Sequence, residues 1–148
     1  MRISAKGRYA LAAATHMAQL YRGGEYITVI RISERLGISK IYLEQVFSLL
    51  KRGGIVTSVK GSQGGYQLAK APALLTALDV LEAVEASLFE GTDAAVKEKA
   101  PEIDAAMQLA VFDKLDAAVR EALGRVTLED LAAEAQRQLG GQAPMFYI

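Results

Sequence analysis

Residues 28–66 read TVIRISERLGISKIYLEQVFSLLKRGGIVTSVKGSQGGY, and the fold follows from this stretch. Ile32, Leu36, Ile38, Leu43, Val46 and Leu50 recur at helical spacing. One face of each of two helices can therefore be buried while Lys40, Tyr42, Glu44, Gln45, Lys51 and Arg52 face out. Gly37 stands where the two helices change direction, and Ser39 follows as an N-cap whose side-chain oxygen meets the free amides opening the second helix. Gly53-Gly54 stops that helix. Ile55 to Val59 has β-forming composition, and the glycine-rich turn Lys60-Gly61-Ser62-Gln63-Gly64-Gly65 leads into Tyr66-Gln67-Leu68-Ala69, which closes a hairpin. Helix, tight turn, helix and basic hairpin, in that order, make a winged helix-turn-helix with a two-stranded wing.

Geometry and charge connect this arrangement with nucleic acid. A major groove about 12 Å wide accepts one α-helix, whose first turns meet base edges, while a basic hairpin tip reaches neighbouring phosphates or the minor groove. Lys40, Ile41, Tyr42, Glu44 and Gln45 occupy those first turns, and Lys60 and Gln63 occupy the tip. From this segment alone a protein-interaction module of the same shape remains the alternative.

Working outward to the N-terminus, Tyr9, Leu11, Ala12, Ala13, Met17 and Leu20 supply a largely apolar helix that ends near Arg22-Gly23-Gly24. Ser4, Lys6 and Arg8 sit at its opening, where free amides, the positive end of the dipole and basic side chains together favour a phosphate. Arg2, Lys6, Arg8 and Lys60 are thus candidates for phosphate contacts. A formal net charge of zero conceals a division in the chain. Residues 1–70 hold eleven Lys/Arg against three acidic residues, Glu25, Glu34 and Glu44, whereas residues 71–148 hold six against fourteen. Such asymmetry suits a nucleic-acid-binding half joined to an acidic assembly or regulatory half.

Composition also excludes chemistry. The 148 residues include no cysteine, so thiolate nucleophiles, disulfides and cysteine-ligated zinc or iron–sulfur centres cannot be built. His16 is the single histidine; it lies in an amphipathic helix with no nucleophile motif beside it, and reads as a helix-surface or part-buried side chain. Neither catalysis nor a cofactor is expected. No apolar run approaches the roughly 18 residues of a membrane span, and no signal-peptide core is present, so the expected protein is soluble and cytoplasmic.

In the second half, Thr76 and Asp79 have capping-box form, and Leu78, Leu81 and Val84 follow as a stripe, predicting a helix over about 77–86. From Pro101, the residues Ile103, Met107, Val111, Leu115, Val119 and Leu123 recur every fourth position with alanines beside them. A helix of about 24 residues would be some 36 Å long, too long for a small domain to cover. It is expected to be the dimer helix, with Ile103, Met107, Val111, Leu115 and Val119 meeting a second copy, although it could instead fold back on its own domain. Gly124 ends it, and Thr127-Leu128-Glu129-Asp130 opens a short helix that stops at Gly140-Gly141. The tail Gln142-Ala143-Pro144-Met145-Phe146-Tyr147-Ile148 is too apolar to stay solvated. It can pack on its own dimer, or dock through Phe146, Tyr147 and Ile148 on a partner protein. The expected organisation is a winged-helix domain over 1–86, dimerisation helices over 87–141 and an apolar tail over 142–148, in a mainly α-helical chain.

Three separated motifs, MRISAKGRYAL at the N-terminus, ISERLGIS with YLEQ across the helix-turn-helix, and VKGSQGGYQLA in the wing, resemble the Rrf-two family of bacterial transcription regulators over roughly residues 2–85. The resemblance implies a homodimeric repressor that carries a winged helix at each end and binds a pseudo-palindromic operator in double-stranded DNA. Recognition helix and wing make the contacts in that family, which carries over to Tyr42, Glu44, Gln45 and Lys60; position 41 is Ile where several relatives are polar. Cluster-binding members carry three cysteines near residues 87–93, and this chain has none. The Met-Phe-Tyr-Ile ending is similar to the cysteine-metabolism (CymR) branch, which implies cysteine synthase as a co-repressor. A small-molecule-sensing regulator of another pathway remains the second reading.

Overall fold

The computed structural model describes residues 3–59, 64–85, 88–89 and 94–141. Helix α1 (Ala5–Gln19) is capped by Ser4, whose hydroxyl accepts the Gly7 amide at 3.2 Å. Its buried face is mostly small, with Gly7, Ala10, Ala13 and Ala14 alongside His16 and Met17, so neighbouring backbones approach closely. Gly7 marks a close approach: a Cβ there would run into the Glu85 carboxylate and lie 2.8 Å from the Ile3 side chain and 3.1 Å from that of Leu81.

Helix α2 (Val29–Leu36) begins at Thr28, which accepts the Arg31 amide, and ends at Gly37 with φ +70°. That left-handed conformation is open to glycine at no steric cost. Ser33 ties the turn down by donating its hydroxyl to the Ile38 carbonyl at 2.5 Å. Ser39 then caps helix α3 (Lys40–Arg52) by accepting the Tyr42 amide at 3.1 Å, as the sequence predicted. Leu43, Val46, Phe47 and Leu50 of α3 are buried.

Strands β1 (Val56–Ser58) and β2 (Tyr66–Leu68) pair antiparallel, with Val56 opposite Leu68 and Ser58 opposite Tyr66. Tyr66 also exchanges both backbone hydrogen bonds with Ile27, at 2.8 and 2.9 Å. The wing is thereby stitched to the entry of α2, a connection not apparent from the hairpin pattern alone.

A 3₁₀ turn at Pro72–Leu74 leads to α4 (Ala77–Val84), where Thr76 and Asp79 form the expected reciprocal capping box. The helix stops at Val84, short of the predicted Ala86. At its C-cap, Glu85 turns back so that its carboxylate accepts the Ser4 amide at 3.1 Å and the Ser4 hydroxyl.

A short α5 (Ala94–Lys99) follows, which the sequence pattern did not reveal. Ala100 lies outside the helical region (φ −142°, ψ 69°), because the ring of Pro101 disfavours a helical residue before it. The expected long helix runs from Pro101 to Gly124 in three joined parts: α6 (Pro101–Met107), a π-helical stretch at Gln108–Phe112, and α7 (Asp113–Gly124). The side-chain Nε2 of Gln108 donates to the Asp113 carboxylate across that stretch at 2.7 Å. A four-residue repeat overshoots the 3.6-residue turn and makes an apolar stripe creep round the helix by about 40° per step. The wider π turn takes up part of that creep.

The last helix, α8 (Leu128–Gly141), is opened by a second capping box between Thr127 and Asp130. Leu128 is fully buried in the same core as Phe47, Met17 and Ile32, and α8 packs along α1. Backbone bonds from Ala77 to Val126 and from Leu128 to Leu75, both 2.8 Å, join the two capped helix starts side by side. The rod meets this head chiefly through α7 on α4, where Arg120 donates to Glu82 at 2.7 Å and lies 3.7 Å over the Phe89 ring. No helix among the described residues is long and apolar enough to cross a membrane.

Candidate nucleic-acid interface

The opening turns of α3 project from the core with their outer face uncovered. Leu43, Val46 and Phe47 hold the inner face, which leaves Lys40, Ile41, Glu44 and Gln45 exposed. Lys40 and Glu44 pair across one turn at 3.7 Å; both are about half exposed, so the pair contributes little to stability. Between this turn, the entry of α2 and the wing lies a hollow of about 760 Å³, bordered by Thr28, Ile30, Lys40, Glu44, Ser58 and Gly65. Wing and recognition helix thus flank one concave surface.

Tyr42 departs from the outward orientation expected for it. It is half-buried, its ring meeting Tyr9 of α1 edge-on at 5.2 Å between centroids and 84° between planes. An aromatic pair of that geometry holds the start of α3 against α1, so Tyr42 braces the recognition helix as well as bordering its face. The helical period correctly put Leu43 inward, and the long-range partner Tyr9 was invisible to it.

The start of α1, where the sequence suggests a phosphate, already holds an anion of the chain itself. Glu85 already supplies the anion there: its carboxylate binds the Ser4 amide and hydroxyl at the positive end of the helix. A second anion would meet a like charge. Arg8 remains exposed near that end, and Lys6 borders a hollow it shares with Leu49, Arg52 and Glu82. Positive charge on this side of the head therefore comes from side chains alone. Arg2, Lys60, Gln63, Phe146, Tyr147 and Ile148 lie outside the described residues.

The candidate dimer residues lie along α6, the π-helical stretch and α7. Ile103, Val111 and Leu115 are 53%, 52% and 47% exposed, with Met107 and Val119 half-buried. Leu109, inside the π stretch, is 72% exposed and was not among them.

His16 is 8% exposed and shares a 3.4 Å hydrogen bond with Gln19. Burial lowers its pKa from the ordinary histidine value; the Gln19 contact opposes this, and Arg35 and Arg31 push it further down. It is a neutral core side chain in neutral solution.

A family model described as Rrf2, iron-dependent transcriptional regulator, matches residues 3–134. The regulator CymR of Bacillus subtilis is 36% identical over 149 residues, covering the whole of both chains. The regulator IscR of Xenorhabdus nematophila is 37% identical over 131 residues, spanning 88% of this chain and 79% of that protein. Among solved structures, that of CymR, the global cysteine regulator of B. subtilis, superposes with a TM-score of 0.72 at 32% identity, covering 90% of this chain and 98% of the other. These relatives are transcriptional regulators, not enzymes. The iron dependence in the family description does not fit these residues: the chain has no cysteine and a single histidine. Among the described residues no three His, Cys, Asp or Glu side chains converge as a metal site.

Proposed function

This chain belongs to the Rrf2 family of transcriptional regulators, and from that premise we propose that it acts in the cytoplasm as a homodimeric repressor. Two heads, carried on paired rods, would enter successive major grooves of an imperfect inverted repeat, with half-sites about 34 Å apart. The observation that carries this reading is the uncovered first turn of α3 beside the wing hollow, its outer face bearing Lys40, Ile41, Glu44 and Gln45. Gln45 and Glu44 have the donors and acceptors that base edges require. Arg2, Lys6, Arg8, Lys60 and Gln63 supply the backbone contacts, and Tyr42 sets the tilt of the helix through Tyr9.

A division of labour follows. Gln45→Ala removes a base-edge contact worth about 1–3 kcal/mol and relaxes specificity at one operator position, whereas Lys60→Ala weakens binding to all sequences alike and flattens the salt dependence. Titration of both variants against matched and single-mismatch duplexes at several salt concentrations reads this directly. Uniform loss by both variants would refute it.

A second reading concerns control. Similarity to CymR extends over the full chain, and the tail ends Met145-Phe146-Tyr147-Ile148. We propose that this tail docks on cysteine synthase, with the terminal carboxylate held by backbone amides and Ile148 in an apolar pocket. O-acetylserine would compete for that pocket and so report sulfur status with no cofactor on the regulator. Deleting Ile148 is expected to abolish cysteine synthase binding in calorimetry while leaving operator affinity intact; unchanged enzyme affinity would dispose of the idea.

A further inference from the structure

We infer that Ile41 is a specificity-determining residue, its side chain packing against the C5 methyl group of a thymine in the major groove, so that each operator half-site carries a thymine at that step. This rests on the docking of α3 in the major groove proposed above.

Ile41 is the second residue of α3 and 73% exposed. A single exposed aliphatic side chain is ordinary on a protein surface; the surroundings of this one are not. It shares a helix face with Glu44, Gln45 and Ser48, three, four and seven residues on, and with Leu49 these border a shallow depression of about 480 Å³. The opposite face of α3 is fully buried through Leu43, Val46, Phe47 and Leu50. Whatever meets α3 from outside therefore meets Ile41.

Charge then selects which part of DNA that is. The Glu44 carboxylate stands on the same face, and its half-exposed pair with Lys40 at 3.7 Å offsets only part of the repulsion it would exert on a phosphate laid against it. A face carrying both an aliphatic group and a carboxylate suits base edges, where a carboxylate accepts from the amino group of cytosine and an alkyl group finds an apolar partner only in the thymine methyl. Facing any other base, Ile41 would cover a polar edge without offering a hydrogen bond. The side chain is also pre-organised. A β-branched residue in a helix keeps essentially one χ1 rotamer, and the turn that bears it is fixed by the Ser39 to Tyr42 cap and by the Tyr42–Tyr9 contact.

The test replaces thymine by deoxyuridine, which removes the methyl and nothing else. Duplexes selected by the full-length protein from a randomised library are resynthesised with uracil at each thymine in turn and titrated by fluorescence anisotropy. At one thymine per half-site the wild-type affinity is expected to fall about fourfold, the effect of losing one buried methyl. Ile41→Ala is expected to bind thymine and uracil equally there and to keep the wild-type response elsewhere. Selected sites without an invariant thymine overturn the inference, as does a wild type indifferent to every uracil, or an Ile41→Ala protein with undiminished sensitivity. Failure of the groove docking itself has a different signature, equal binding of selected and scrambled duplexes, and overturns both.

Discussion

Leu115→Asp is expected to yield a monomer that binds its operator at least about a hundredfold more weakly than the wild type. Leu115 lies 47% exposed on α7, in the stripe it shares with Ile103 and Val111, and it takes no part in the core of the head. If two rods pair through this stripe, the substitution places a carboxylate from each copy in an apolar seam. Burial of an unpaired charge there costs far more than the seam contributes at one residue. Each freed head retains its own contacts but loses the linkage that makes the second half-site an intramolecular event, a factor of roughly 10² to 10⁴. Sedimentation velocity reads the mass, and anisotropy on full and half-site duplexes reads the coupling. The two proteins should differ on the full operator and converge on the half-site. A variant that keeps the wild-type mass and affinity would remove the rod from the mechanism, and an unchanged circular dichroism spectrum would show that the head is intact.

Phe47→Ala is expected to lower stability by about 3–5 kcal/mol, the usual result of emptying a large aromatic site in a core. Against a total of roughly 5–15 kcal/mol for a domain of this size, that is a large share. Phe47 is fully buried in α3, and its ring lies against that of Tyr66 with centroids 4.7 Å apart at 32°. Tyr66 in turn opens β2 and holds Ile27 through two backbone bonds. The cavity therefore falls at the junction of recognition helix, wing and α2 entry, and orientation should suffer along with stability. Thermal denaturation should show a midpoint lower by roughly 10 °C, with Phe47→Leu losing less because much of the volume is kept. A midpoint within two or three degrees of the wild type would mean that the junction collapses around the gap. The wing would then be anchored by its backbone pairing alone.

Several features of this molecule were legible before any coordinates. Ser39, Thr76 with Asp79, and Thr127 with Asp130 cap the helices their residue types announced. Gly37 turns the chain in the left-handed region, and the two runs flanking the glycine-rich turn pair as a hairpin. All of these depend on groups within a few residues of one another, where spacing is geometry. The inward face of α3 belongs with them, because the helical period alone separates Leu43, Val46 and Leu50 from Glu44 and Gln45.

What escaped the sequence is long-range. Glu85 answers the start of α1 from 81 positions away, Tyr9 braces Tyr42 across two helices, and α8 packs along α1. Each contact joins segments whose separation along the chain carries no trace of their proximity. Local hydrogen bonds and the 3.6-residue period thus determined which residues form helices, where those helices begin and which face is apolar. Tertiary packing alone decided which apolar faces meet, because several amphipathic helices with interchangeable stripes offer many pairings. Only the summed burial of Leu128, Phe47 and their neighbours in one core chooses among them.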